Sequence, residues 1–298
     1  MAGAKTYWSG SAHRRLDIIL LLAPAVTVIV VLFAGGVTMG LLQSLGYLPA
    51  AGFRTLSLAA YREVLTSPGF LRSVWLTVWV SLASTILSVA FAILTALVLR
   101  RVIRARAALS FLYQFPLTVP HIVVAAGMLM LLSQSGLVAR LAHRVGLIAE
   151  PAAFPVLVHD DLGVGIILVY LWKQIPFVGL VALAVLQSIG EDYEELARSL
   201  GASRGQRVRH VLLPLMLPGL VPASIIIFAF VFGSFEVPFL MGESFPSMLS
   251  VLAYRLYTDT DLALRPQAMA VSVVIAVMIL VLVALYQRFT RSLTERGE

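Results

Sequence analysis

Residues 74–99 read VWLTVWVSLASTILSVAFAILTALVL, an apolar run without one charged side chain. About 20 such residues in an α-helix cross the roughly 30 Å hydrocarbon core of a bilayer. A spanning strand would alternate polar and apolar residues, and this run does not. Inside lipid every backbone N–H and C=O must be satisfied within the protein, so an unalternating run of this length is a helix. Five other runs have the same character: Ile18 to Leu42, Leu109 to Leu132, Gly163 to Leu186, Leu220 to Met241 and Ala268 to Tyr286. The fold class is therefore an all-α integral membrane protein with six transmembrane helices. The first run exceeds a signal-peptide core of about 7 to 15 residues and ends without a small-residue cleavage pattern, so it reads as a retained helix.

Whole-chain figures point the same way. Of 298 residues, 60% are hydrophobic and 12% charged, with a mean hydropathy of +0.95. Soluble domains carry roughly a quarter charged residues. The absence of cysteine excludes a disulfide framework, a thiolate nucleophile and Cys-based metal sites. The net charge of +7 records orientation rather than nucleic-acid binding. One set of loops holds Lys5, Arg14, Arg15, Arg100, Arg101, Arg104, Arg106, Arg198, Arg204, Arg207, Arg209, Arg288, Arg291 and Arg296. The other holds Arg54, Arg62, Arg72, Arg140, Arg144, Arg255 and Arg265, and Lys173 falls inside a span. Fourteen against seven makes the first set cytoplasmic and places both termini inside.

The outer loops are the longer ones. Within them Leu56 to Leu71, LSLAAYREVLTSPGFL, predicts a short interfacial helix that stops at Ser67-Pro68-Gly69. Asp160-Asp161 near His159 is the one clustered set that an enzyme site would call on, and it reads better as a cap on the fourth span.

One cytoplasmic loop is different. Ser188 to Leu217, SIGEDYEELARSLGASRGQRVRHVLLPLML, predicts two short helices. Ser188 and Glu191 have capping-box spacing, and Glu191, Asp192, Glu194 and Glu195 crowd the first turns, where the helix dipole favours negative charge. Gly201 suits a C′ position with positive φ, and Ser203 with Gln206 forms a second capping box. The second helix, basic through Arg204, Arg207 and Arg209, is expected to stop near Pro214. Physics alone leaves two readings open, a surface anchor on anionic lipid or a docking element. A DNA-reading helix-turn-helix fits less well, because both ends are tethered to spans.

Glu195-Leu196-Ala197, Gly201-Ala202-Ser203, Val211, Leu213-Pro214 and Pro218-Gly219 together resemble the "EAA" loop of permease subunits of binding-protein-dependent ABC importers. That pattern runs Glu-Ala-Ala, three residues, Gly, nine residues, an aliphatic residue, one residue and Leu-Pro, and every spacing is present. Leu196 replaces the middle alanine. The resemblance implies a type I importer permease (MetI-like) fold in a bacterial inner membrane. It divides the chain into 1–70 (tail, first helix and outer loop helix), a permease core 71–287 with coupling loop 188–217, and a tail 288–298.

The resemblance also implies how the chain works. Glu195 and Gly201 would contact an ATPase subunit, Ala197, Ala202 and Ser203 would let its surface approach, and Leu213 and Pro214 complete the signature. Two ATPase subunits carrying ATP and Mg, a second permease (a heterodimer more often than a homodimer) and an extracytoplasmic binding protein are the implied partners. The chain itself is expected to bind no cofactor, metal or nucleic acid. A phosphate-binding loop needs a lysine after glycine, and the only lysines follow Ala4 and Trp172. This chain is therefore expected to be a transport subunit and not an enzyme.

Charges inside spans are rare and usually functional. Lys173 lies in YLWKQIPF and Glu236 in FGSFEVPFL. They either neutralise each other as an ion pair or, with Gln174, His121 and Gln114, line a substrate pathway. Pro176 and Pro238 are expected to kink the helices there. The strings FGSFEVPFLMG, SMLSVLAY and YREVLTSPGFLRSVWLTV are similar to permeases of the spermidine/putrescine type, a subfamily with relatives for iron, thiamine, phosphonates and opines. That similarity implies a small polar solute such as a polyamine. An ion-gradient-driven transporter or channel subunit is the alternative, and it would show an inverted repeat that the sequence lacks.

Overall fold

The computed structural model describes the backbone of residues 10–100, 106–190 and 192–294, with side chains over 18–100, 111–190 and 192–288. Glu191, Lys5, Arg101, Arg104 and Arg296 lie outside the described residues, as do the side chains of Arg14, Arg15, Arg106 and Arg291. The helices are α1 Gly10–Ser44, α2 Ala59–Thr66, α3 Pro68–Leu99, α4 Arg106–Thr118, α5 His121–Leu132 and α6 Leu137–Arg144. They continue as α7 Val164–Ile189, α8 Asp192–Ser199, α9 Arg204–Arg207, α10 Leu213–Gly233, α11 Glu236–Met241, α12 Leu249–Thr258 and α13 Arg265–Thr294. Among the described residues six helical stretches are long and apolar enough to cross a membrane: Ile18–Ser44, Pro68–Leu99, His121–Arg144, Val164–Ile189, Arg204–Gly233 and Leu262–Arg288.

The centre is built on α3, α7 and α10. Lipid tails are as apolar as leucine, so helices in a membrane associate through close packing of small residues. Helix α3 supplies such a face: Ser73, Thr77, Ser81, Ser84, Ser88, Ala92 and Ala96 recur every three or four residues and all are buried. Two of its hydroxyls bond back to their own helix, Thr77 to the Ser73 carbonyl and Ser81 to that of Thr77, each at 2.7 Å. Above this seam sits an outer-half core with Leu76, Val80, Ile166, Tyr170, Val231 and Met241, and below it an inner-half core with Ala92, Val178, Ala182, Met216 and Leu220. Helix α1 leans on α13 and turns its remaining apolar surface outward, as a helix hydrophobic all round does in lipid.

Two crossings are interrupted. The third, expected as one helix from Leu109 to Leu132, divides at Val119-Pro120 into α4 and α5. Pro120 brings no N–H and its ring clashes with the preceding turn, while the residue before it is driven to extended backbone. The fifth divides at Ser234-Phe235, so Glu236 begins the short helix α11. Helix α7 carries Pro176 in its interior as one helical element. The expected stop near Pro214 does not occur. A π turn at Val208–Leu212, closed by Leu213 N–H donating to the Val208 carbonyl, widens the helix just before the proline. From Arg204 to Gly233 the chain is one helical run.

The loops sort onto two faces as the basic residues require. Arg100, at the end of α3, meets Glu194 of loop 188–217. At the opposite face Trp79 Nε1 donates to the Leu162 carbonyl at 3.0 Å and stacks on Trp75, an aromatic pair of the kind found at membrane interfaces. The interfacial helix is α2, and its breaker Ser67-Pro68-Gly69 doubles as the start of α3: Ser67 Oγ accepts from Phe70 N–H, and Pro68 opens the helix. The outer loop 242–267 contains a helix, α12, whose first N–H at Leu249 donates to Thr77 Oγ1 at 2.9 Å.

Candidate functional site

Loop 188–217 begins differently from its expected capping box. Ser188 lies inside α7 and its hydroxyl bonds back to the Val185 carbonyl at 2.8 Å, so α7 ends at Ile189 with Gly190 at positive φ. Helix α8 opens with Asp192, Glu194 and Glu195 in its first turn. It closes in a Schellman motif: Ala202 N–H donates to Ala197 and Gly201 N–H to Arg198, with Gly201 at φ 84°. Ser203 then forms the predicted capping box with Gln206.

Glu194 ties this unit to the bundle. One carboxylate oxygen accepts from Arg100 at 2.7 Å and the other pairs with Arg207 at 3.4 Å, joining α3, α8 and α9. Sequence reasoning treated Glu194 only as a dipole partner, because nothing local marks Arg100 as its neighbour. With Glu194 turned inward, Tyr193, Glu195, Leu196 and Leu200 stay exposed, Leu200 at 80%. Of the other signature positions, Gly201, Ser203 and Pro214 are exposed and Ala197, Ala202 and Leu213 half-buried. A short capped helix thus presents an acidic and apolar surface while its base is fixed by ion pairs.

Within the spans the candidate pathway residues separate. Glu236 is exposed, and no ion pair joins it to Lys173. Lys173, 5% exposed, instead donates to the carbonyls of Pro116 at 2.6 Å, Leu117 at 3.3 Å and Val119 at 2.6 Å. Gln174, 4% exposed, turns to α3, where its Oε1 accepts from Ser88 Oγ at 3.3 Å. His121 opens α5 at the break, its ring 4.8 Å from that of Phe230 and 6.5 Å from that of Tyr170, within electrostatic range of Lys173 and Glu236. The side chain of Gln114 is exposed and has no hydrogen-bond partner among the described residues. The interruptions of the third and fifth crossings therefore meet through His121 and Phe230, with Glu236 beside them. The aromatic partners and Pro120 went unread in the sequence, where Phe230 is one of many apolar residues in its span.

At the outer face Asp160 caps α7, its carboxylate accepting from the N–H groups of Leu162, Val164 and Gly165. His159 bonds the Gly242 carbonyl at 2.7 Å. A cavity of about 650 Å³ lies alongside, lined by Gln134, Glu150, Leu157 and His159 among others. Among the described residues no group of three His, Cys, Asp or Glu side chains is placed to hold a metal ion.

The family described as "Binding-protein-dependent transport system inner membrane component" matches residues 88–296. The sn-glycerol-3-phosphate transport system permease protein UgpA of Brucella abortus is 30% identical over 249 residues, which cover 80% of this chain and 82% of the relative. The molybdenum transport system permease protein ModB of Mycobacterium tuberculosis is 29% identical over 208 residues, 67% and 74% of the two chains. In fold, the chain is similar to one in the crystal structure of a bacterial ABC transporter involved in the import of the acidic polysaccharide alginate. That match has a TM-score of 0.80 at 22% identity, over 95% of this chain and 97% of the other. The chain belongs to the binding-protein-dependent transport system inner membrane component family, and is a multi-pass inner-membrane permease component of an ABC importer.

Proposed function

We propose that this chain, through its core 71–287, forms half of an import pathway and takes its driving motion from a separate ATPase through loop 188–217. The observation that carries this reading is α8: closed by Gly201, fixed at its base by Glu194, and exposed along Tyr193, Glu195, Leu196 and Leu200. A rigid element with an exposed face passes on a displacement without absorbing it. Glu195 and Gly201 are the contact positions, with Ala197, Ala202 and Ser203 lining the approach and Leu213-Pro214 joining the loop to α10. Two ATPase subunits holding ATP and Mg complete the motor, and a second, similar permease completes the pathway. A binding protein delivers solute to outer loops 43–73, 133–162 and 242–267.

The solute is a small polar one, and we propose a cation of the polyamine kind. Support comes from Glu236, a carboxylate with no ion-pair partner among the described residues, where the interrupted crossings meet. Coupling is tested by co-purification and by proteoliposome uptake with the ATPase present. Glu195→Lys and Gly201→Val are expected to insert normally and to hydrolyse ATP without import. Normal import by both variants removes loop 188–217 from the mechanism, and a chain that never associates with an ATPase removes the whole reading.

A further inference from the structure

We infer that Lys173 is a positioning residue: its ammonium stands in for the N–H that Pro120 lacks and so holds the third crossing open at the level where it meets the fifth. This rests on the import reading above, in which that junction is part of the pathway.

The carbonyls at the end of α4 lose their helical donors at the break. In a continuous helix the Pro116 carbonyl would accept from residue 120, which is proline and has no N–H. Lys173 Nζ takes that place at 2.6 Å. The Leu117 and Val119 carbonyls, also left open by the break, accept from the same ammonium at 3.3 and 2.6 Å. Phe115 is served by Thr118 Oγ1 at 2.8 Å. An ammonium has three donors and no acceptor, and all three N–H groups of Lys173 have backbone partners. None remains for a solute.

Position makes this more than a repair. Helix α4 is also anchored to α7 one turn away, where Tyr113 O–H donates to the Ile175 carbonyl at 3.0 Å and shares a 2.8 Å hydrogen bond with Thr95. Gly179 leaves the room for it, since a Cβ there would collide with Tyr113 Oη. Helix α5, by comparison, is held by ring and aliphatic contacts: His121 on Phe230, and Val124 and Ala125 in the outer-half core. Lys173 therefore stands between an inner half tied to α7 by hydrogen bonds and an outer half held by packing against α7 and α11. It sets where α5 begins and where His121 points.

The test uses the assembled transporter with Lys173→Met, Pro120→Ala and the two combined. Lys173→Met is expected to lower thermal stability and abolish most import. Adding Pro120→Ala returns an N–H to the Pro116 carbonyl, so the double variant is expected to regain stability while import stays lost, because the crossing is now continuous. Recovery of import together with stability would reduce Lys173 to a structural patch and overturn the inference, as would unchanged import in Lys173→Met. Where Lys173→Met does not accumulate, Lys173→Arg, which keeps charge and donors on a longer stem, is expected to show the same loss in milder form. Wild-type import by Lys173→Arg also counts against the geometric role.

A second readout needs no ATPase. The chain has no native cysteine, so His121→Cys carries the sole thiol. Lys173→Met is expected to raise its labelling rate by a maleimide while a Val164→Cys control stays unchanged. Equal rates at position 121 reject the clamp even if the import reading stands. A raised rate in Lys173→Met, where the assembly that keeps Lys173 does not import either, would leave the clamp standing and reject the import reading instead.

Discussion

At the scale of single residues, the two charges inside the spans have opposite fates. Lys173 is buried and spends all its donors on backbone, whereas Glu236 opens α11 with no paired cation among the described residues. Removing one member of a true buried pair would strand its partner's charge at a cost of several kcal/mol. Neither residue is the other's partner here, so the two substitutions are expected to act independently. Glu236→Gln should leave assembly and ATP hydrolysis intact and weaken uptake of a labelled diamine relative to that of an anion such as molybdate. Uptake assays with both solutes check this, and an unchanged diamine-to-anion ratio would disprove a cation-selecting role. The sequence made both charges conspicuous but could not apportion them, because the carbonyls that claim Lys173 are exposed by a proline more than fifty residues away.

Among the elements, α8 depends on one carboxylate. Glu194 reaches Arg100 and Arg207 from a site that is partly exposed, so its two ion pairs contribute on the order of 1 kcal/mol or less to stability. Their effect on position is larger, since they alone tie α8 by charge to both the end of α3 and the start of the next helix among the described residues. Glu194→Gln is therefore expected to insert and assemble normally but to lower the import obtained per ATP hydrolysed. Parallel measurement of both rates in proteoliposomes checks it, and a wild-type ratio would show that α8 is seated by other contacts. The Schellman closure at Gly201 and the capping box at Ser203 were legible because caps are local codes of a few residues. The π turn before Pro214 was not, because a proline predicts that a helical bond is lost without saying whether the helix stops or widens.

For the molecule as a whole, length and apolarity decided the crossings, since the bilayer sets both. The run 163–186 was found to within three residues at each end, and 74–99 matches the end of α3, which starts earlier at Pro68. Interruptions at 119–120 and 234–235 escaped, because Lys173 and Ser250, whose hydroxyl donates to the Ser234 carbonyl at 2.6 Å, support them from other elements. The partition of basic residues predicts a sidedness that cysteine labelling can check in this cysteine-free chain. A thiol at Tyr193 is expected to react with an impermeant reagent only in inside-out vesicles, and one at Glu150 only in right-side-out vesicles. Reversed accessibility would invert the topology.

The unbroken run from Arg204 to Gly233 has a mechanical consequence. At 1.5 Å per residue its 30 residues make a rod of about 45 Å, so a tilt of ~5° at the cytoplasmic end sweeps the far end through about 4 Å. That far end lies two residues before Phe235 and three before Glu236. Rotation too slight to disturb the packing of α10 against α3 and α7 is thus amplified, at the tip of a lever arm, into a displacement comparable with the width of a small solute.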